Sequence, residues 1–551
     1  MTDVASRPTG ARPGGRAVDH EVVVLGAGVA GLYAIKRLTD LGVDAIVLEA
    51  DDDLGGTWYR NRYPGARFDS ESYTYGYSFS EELLAEWDWS ERFSGQPENL
   101  RYLRHVADRF DLRRHLRFGC RVAAMRWDEA TTSWTLELES GERVTARVVI
   151  TCLGLLSAPT PPRYEGMDDF EGESFHTHDW PLEPVELEGR RVGVIGTGAT
   201  GIQVIADIAD RVGELLVFQR RPNWSAPLCN APIPPEEMDE IRSRYDEIFA
   251  TCAASETGFE HLPVRTGYDE ATPEERRALW DRLYDEPGFG ILLGNYIEVL
   301  TREEACRDLS DYVAERIRGR VHDPETAEKL IPTDHLFGTQ RVPLESGYFE
   351  AFNHDHVHLI DLSEAPIERI SAAGVVTTER EHPLDVLVYA TGFDAVTGSF
   401  DRIEIEGVDG ERLADRWSDG PTTQLGIAVH GFPNLLMVAG PQSASASSNF
   451  PRAIETSVEW VTDLVEHLRT TGAERVEADA DAERAWTDHV VETYQLGLAR
   501  SPRGWFAGYN SNVPGRPVGV PRHVVYSGGA KKYRRRLAEC VAAGYDGFAI
   551  S

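Results

Sequence analysis

Cysteine and methionine are scarce in this 551-residue chain, at six and five. Cys120, Cys152, Cys229, Cys252, Cys306 and Cys540 never come closer than 23 residues to one another. That spacing excludes CxxC-type zinc knuckles and redox-active dithiols, so no metal ligand set is expected, and it suits a reduced, cytoplasmic compartment. A run of the ~18 apolar residues that a membrane helix needs is missing. The first 19 residues, rich in Gly, Pro and Arg, lack the apolar stretch of a signal peptide and read as a disordered tail. Basic residues are also in deficit: 56 Lys and Arg face 91 Asp and Glu, for a net charge of −35. Such a field argues against nucleic-acid and anionic-membrane partners, and it leaves any phosphate dependent on local arginines and helix N-termini. What remains is 41% hydrophobic and 27% charged, the composition of a soluble globular protein.

Two glycine-rich turns carry the first chemistry. His20 to Leu25 reads as a short buried strand that runs into Gly26-Ala27-Gly28-Val29-Ala30-Gly31 and then an apolar segment, Leu32 to Leu38. Strand, tight turn and helix make GxGxxG a dinucleotide cradle: the glycines permit the turn, admit backbone N–H groups to a pyrophosphate and let the helix pack closely. The next strand, Ala45 to Leu48, ends at Glu49, whose carboxylate can accept hydrogen bonds from ribose hydroxyls. The second turn follows the strand Arg191 to Ile195 and reads Gly196-Thr197-Gly198-Ala199-Thr200-Gly201. Its partner strand, Leu215 to Phe218, ends at Gln219-Arg220-Arg221 rather than at an acid. Guanidinium groups suit a 2′-phosphate, so NADP is favoured over NAD. The plain alternatives are βα turns without a ligand, and two arginines on a solvated edge.

The rest of the chain arranges itself around these turns. Gly55-Gly56-Thr57-Trp58, Tyr63-Pro64-Gly65 and Asp69 form a loop without periodicity, expected to be irregular rather than helical. Val122 to Trp127, Trp134 to Leu138 and Arg143 to Thr151 alternate like a β-meander. Phe170 to Pro181 links the two cradle regions, with His176 and Trp180 as candidate anchors of a joint. From about 226 to 335 the pattern is helical: Thr272-Pro273-Glu274-Glu275 is a capping box, and Thr301 with Glu304 repeats it. This block holds no catalytic constellation and is expected to shape a cleft or cap a domain. Strands resume from His356 to Ile360 and from Leu384 to Tyr389, leading to the small-residue turn Ala390-Thr391-Gly392; Leu435 to Ala439 follows. Beyond Pro451, Ile454, Val458, Val461, Val465 and Leu468 form one core stripe of a helix.

These residues resemble the Baeyer–Villiger monooxygenases. Phe170, Gly172, His176, Trp180 and Pro181 match that family's F-x-G-x-x-x-H-x-x-x-W-P pattern. Gly56, Trp58, Tyr63, Pro64, Gly65 and Asp69 match its G-x-W-x-x-x-x-Y-P-G-x-x-x-D pattern, and the turn at 390–392 fits too. The resemblance implies an α/β fold with two Rossmann-like dinucleotide-binding domains, for FAD and NADP, and a helical insertion in the NADP domain. The expected divisions are 1–19 tail, 20–153 and 388–551 FAD domain, 154–225 and 336–387 NADP domain, and 226–335 insertion. FAD, tightly bound, would sit on Gly26, Gly28, Gly31, Glu49, Thr57, Trp58, Asp69, Tyr75 and Val122. NADPH would sit on Gly196, Thr197, Gly198, Ala199, Thr200, Gly201, Gln203, Arg220, Arg221 and Arg341, with Trp505 packing on the nicotinamide nucleotide. Arg341 and Asp69 match the catalytic arginine and the acid that orients it. His176 matches a residue that couples domain movement to cofactor handling.

The implied reaction inserts one atom of O₂ beside a ketone carbonyl, through a C4a-peroxyflavin, and yields an ester or lactone. Negative charge then grows on oxygen, and a fixed cation such as Arg341 meets it. A flavin-dependent N- or S-oxygenase shares both cradles and stays the alternative. A disulfide reductase lacks its cysteine pair here, and a silent nucleotide sensor would consume no NADPH. The chain departs from the family pattern at Gln340, where a lysine is common, at Arg60, where an aromatic is common, and in a long segment from Tyr509 to Gly515. Neither the particular ketone nor the oligomeric state is written in these residues.

Overall fold

The computed structural model describes residues 18–498, 504–515 and 520–551. Its larger sheet has eight strands. His20–Leu25 lies at the centre, parallel to Ala45–Leu48 on one side and to Arg143–Thr151 on the other. Val22, Val23 and Val24 are fully buried on both faces, as a central parallel strand requires. The meander continues antiparallel from Arg143–Thr151 through Ser133–Leu138 to Val122–Asp128. Two late segments complete the sheet: Leu435–Met437 beside Arg143–Thr151, and Glu404–Glu406 beside Val122–Asp128. The chain thus returns to its first sheet after some 250 residues elsewhere. Asp19 already joins this sheet, where it exchanges hydrogen bonds with Thr145 of the interior strand Arg143–Thr151; residues 1–17 of the expected tail lie outside the described residues.

The second sheet is wholly parallel, in the order Val357–Asp361, Glu214–Gln219, Arg191–Ile195, Val386–Tyr389, Glu173–His176. Its last strand lies within the linker Phe170 to Pro181, where the sequence showed no strand. Glu173–His176 pairs with Val386–Tyr389, so His176 is held in register opposite Tyr389. Trp180 packs into the core of this half, 5.3 Å from Phe175.

Helices fill the segment between the two parts of the second sheet. Thr272 caps Pro273–Asp285 through the expected box, and Trp280, Leu283 and Tyr284 face inward. Thr301 does not repeat it: Glu303–Arg320 starts after Arg302, without a side-chain cap, and the Thr301 hydroxyl donates to Ile297 O instead. The apolar stripe from Ile454 to Leu468 is core, within the 22-residue helix Phe450–Thr471. That helix lies on Val29–Asp40, with Tyr33 donating to Glu459 at 2.9 Å. The last helix, Ala530–Ala542, turns Tyr533, Leu537 and Cys540 inward and leaves a basic face outside. None of the described helices is long and apolar enough to cross a membrane.

Candidate active site

At the first cradle Gly26 has φ +100°, a conformation that L side chains rarely adopt, and its N–H donates to Leu48 O at 2.9 Å. A Cβ at Gly31 would lie 1.8 Å from Gly26 O, so only glycine lets the helix approach this closely. Glu49 stands at the end of its strand, 6% exposed. Its Oε2 accepts from Ala27 N at 2.6 Å and its Oε1 from Asp51 N at 2.9 Å. Burial raises the pKa of its carboxyl group, while these N–H groups pull it back.

The second cradle repeats the geometry. Gly196 has φ +111° and donates to Phe218 O at 3.1 Å; a Cβ at Gly201 would fall 2.0 Å from Gly196 O. Space beside Gly198 is open. Ala390 O closes on Gly196 as Cys152 O closes on Gly26, so the Ala390-Thr391-Gly392 turn is the floor of this cradle. The Thr197 hydroxyl donates to Arg221 O at 3.0 Å. No acid ends the strand Glu214–Gln219; Arg220 extends instead to Ser511 Oγ at 2.6 Å, and Arg221 lies 3.8 Å from Asp334.

Between the cradles lies one cavity of about 1480 Å³. From the first half, Gly26, Gly28, Glu49 and Val122 line it, as does the loop with Thr57, Trp58, Asp69 and Tyr75. From the second half come Ala199, Thr200, Gln203 and Arg341, and Trp505 lines it from the C-terminal segment. Gly31, Gly196, Thr197, Gly198, Gly201, Arg220 and Arg221 stand outside its wall, where they shape the turns or point to the strand end. The loop is not wholly irregular: Thr57–Arg60 makes one helical turn after Gly56, which takes a positive φ of 53°. That turn buries Trp58 edge-on against Tyr75, with centroids 5.8 Å apart and the indole N–H donating to the phenol.

Arg341 and Asp69 meet across this cavity. Arg341 Nη2 lies 2.6 Å from Asp69 Oδ2, and Nη1 donates to Val342 O at 2.7 Å. Leu344 N also donates to Asp69 Oδ2, at 3.2 Å. Asp69 is 4% exposed and its other oxygen, Oδ1, is buried without a hydrogen-bond partner. The guanidinium is therefore fixed on two sides while its remaining surface faces the cavity. A buried acceptor left open beside it suits a donor group on a bound molecule.

His176 lies outside this wall. His178 N donates to His176 Nδ1 at 3.2 Å, and Nε2 lies 3.2 Å from Thr391 Oγ1, whose proton goes to Thr160 O. An imidazole that accepts at Nδ1 and donates at Nε2 is neutral, and burial lowers its pKa to about 4. The histidine thereby ties the edge strand to the floor of the second cradle.

Three sets of contacts gave no signal in the sequence. Phe289, Leu292 and Leu300 of the helical block line the cavity, and Arg341 lies 6.0 Å from the Phe289 ring. Tyr63 OH donates to Gln203 Oε1 at 2.9 Å, joining the loop to the second cradle's helix. Arg60 bridges Asp51 at 2.7 Å and Asp179 at 3.1 Å, the first acid next to the first cradle and the second in the linker. Aromatic and apolar positions in a helix read as core in sequence, and ion pairs have no fixed spacing, so only packing exposes them.

Residues 19–229 match the flavin-binding monooxygenase-like family. The 2-oxo-Δ3-4,5,5-trimethylcyclopentenylacetyl-CoA monooxygenase of Pseudomonas putida is 42% identical over 538 residues, 96% of this chain and 98% of that protein. The methyl acetate-forming acetone monooxygenase of Gordonia sp. strain TY-5 is 42% identical over 533 residues, 96% of this chain and 99% of its own length. A solved structure of OTEMO in complex with FAD and NADP superposes with a TM-score of 0.93 at 41% identity, covering 97% of this chain and 100% of the other.

Proposed function

The chain belongs to the Baeyer–Villiger monooxygenases, and from that premise we propose how its own residues divide the work. It is an NADPH-dependent flavoprotein that oxygenates ketones. FAD fits the first cradle, with Gly26, Gly28 and Gly31 at the pyrophosphate turn, Glu49 at the ribose, and Thr57, Trp58, Tyr75 and Val122 along its length. NADPH fits the second, from Gly196 through Gly201 with Gln203, Arg220 and Arg221, and Trp505 closes over it. FAD supplies the redox chemistry with O₂, and NADPH supplies the hydride.

Arg341 cannot lose its proton, and its position is held by Asp69 and the Val342 carbonyl. It offers a preorganised positive charge to the oxygen that becomes negative as the ketone is attacked. Asp69 acts through it as a positioning group, and its open Oδ1 can accept from a bound cofactor. Phe289 and Leu292 supply an apolar wall that keeps water from that charge. The observation that carries this reading is the single cavity onto which both cradles and Arg341 open. Six unpaired cysteines support placement in a reducing cytoplasm.

Product analysis under ¹⁸O₂ across linear, cyclic and aryl ketones, with a thioether and a tertiary amine in parallel, tests the proposal. One labelled oxygen in an ester or lactone is expected. Sulfoxide or N-oxide as the sole product would move the chain to the alternative chemistry.

A further inference from the structure

In a chain of net charge −35 there are four lysines: Lys36, Lys329, Lys531 and Lys532. Two of them fall together in Lys531-Lys532-Tyr533-Arg534-Arg535-Arg536, at the start of the last helix, Ala530–Ala542. Five cations in six residues oppose the field of the whole molecule. Helical spacing sorts them: Tyr533 and Leu537 turn into the core, while Lys532, Arg535 and Arg536 at i, i+3 and i+4 share one outer face. That face is not simply solvated, for Lys532, Arg535 and Arg536 line the same cavity as Arg341.

Little on the protein neutralises this face. Arg535 and Arg536 share the single carboxylate of Glu539, each at 3.6 Å, and both arginines stay more than half exposed. Among the described residues no carboxylate pairs with Lys532. Arg534 is engaged elsewhere, donating to the Ala253 and Ser255 carbonyls. Glu256 is the opposing charge on the cavity wall: its carboxylate rests against Gly529, and its carbonyl accepts from Ala530 N. Three cations against two acids, Glu256 and Glu539, leave the rim positive. The same wall includes the uncharged residues Ser447, Ser448, Phe450 and Ile454.

We propose that Lys532, Arg535 and Arg536 bind the anionic tail of an oxo substrate whose ketone end reaches Arg341. The inference rests on the ketone-oxygenating function above and specifies its substrate class: a ketone joined by an apolar spacer to a carboxylate or phosphate. Neutral ketones use the inner site alone. A cationic rim on an acidic protein also reverses, at the point of entry, the repulsion that such a substrate meets elsewhere.

The test compares three ligands of equal chain length on the FAD-loaded enzyme: a linear oxo-carboxylate, its methyl ester, and the corresponding oxoacyl-CoA thioester. Titration calorimetry reads binding without turnover. The oxo-carboxylate, the thioester or both are expected to bind at least about tenfold tighter than the ester. The advantage should shrink in about 0.5 M salt, where exposed charges are screened. Tightest binding by the thioester assigns the rim to phosphates, and by the acid to a carboxylate. The triple variant Lys532→Glu/Arg535→Glu/Arg536→Glu should remove the advantage, and the milder pair Lys532→Gln/Arg536→Gln should reduce it, each measured against the ester in the same protein. Equal binding of anion and ester by the wild type, or an advantage that survives charge reversal, overturns the proposal. Failure of every ligand to give an oxygenated product, with the binding difference intact, would instead sink the ketone-oxygenating reading.

Discussion

Arg220 and His176 show what single residues decide. Arg220 lies beyond a strand that ends in no acid, and its guanidinium now reaches Ser511. If it binds the 2′-phosphate, Arg220→Ala should raise KM for NADPH by roughly tenfold or more and leave KM for NADH nearly unchanged. A parallel rise for both coenzymes would remove that role. His176 bears on stability instead. Burial holds its folded pKa at about 4 against an ordinary 6.5. Between those values the unfolded chain takes up a proton that the folded imidazole refuses. Its contribution is therefore whole above pH 6.5, falls as pH drops towards 4, and changes no further below that. A His176→Asn variant should lose less Tm than the wild type between pH 7 and pH 5. An identical loss in both proteins would show that this imidazole is not the titrating group.

The cradle helices make the corresponding case for elements. Gly31 and Gly201 are equivalent, each with a Cβ position within 2.0 Å of the first glycine's carbonyl. Alanine at either forces its helix away from its strand, yet the consequences should differ. Gly31→Ala should purify largely colourless, having lost FAD, whereas Gly201→Ala should stay yellow and fail to be reduced by NADPH. Absorbance at the flavin band before and after NADPH under anaerobic conditions separates the two. A yellow, NADPH-reducible Gly31→Ala would contradict the first assignment. These turns were legible in the sequence because their spacing is dictated by backbone sterics. The strands His20–Leu25 and Arg191–Ile195 were legible for the same reason, since continuous apolar runs bounded by glycine leave few alternatives. Glu173–His176 was not, because an edge strand of four residues with three polar positions has no readable alternation. Thr301 misled through a pattern match: it lies one residue before the N-cap position, Arg302, and its hydroxyl bonds back to Ile297 O. The pairing of Asp69 with Arg341, 272 residues apart, came from the family pattern alone. No local rule connects residues at such a distance.

At the scale of the molecule, two sheets of different composition meet over one cavity, and small contacts join them. Tyr63 to Gln203 is one, and Arg60 between Asp51 and Asp179 is another. Arg60 binds the first cradle's neighbourhood to the linker, so Arg60→Ala should loosen the placement of one coenzyme against the other. We expect a larger fraction of NADPH to be oxidised without ester, with FAD retained; unchanged coupling would make Arg60 a surface ion pair only. The acidic surface around these halves makes the basic face at residues 531–536 stand out, and it gives local charge more weight than the global balance. What unites both scales is the demand for a fixed cation where the two cradles converge. The most direct measurement follows NADPH-driven flavin reduction and ester formation side by side in Arg341→Ala. We expect reduction to persist while ester falls by at least roughly 10²–10³-fold, the cost of removing a preorganised oxyanion donor. Ester at the wild-type rate would contradict the assignment.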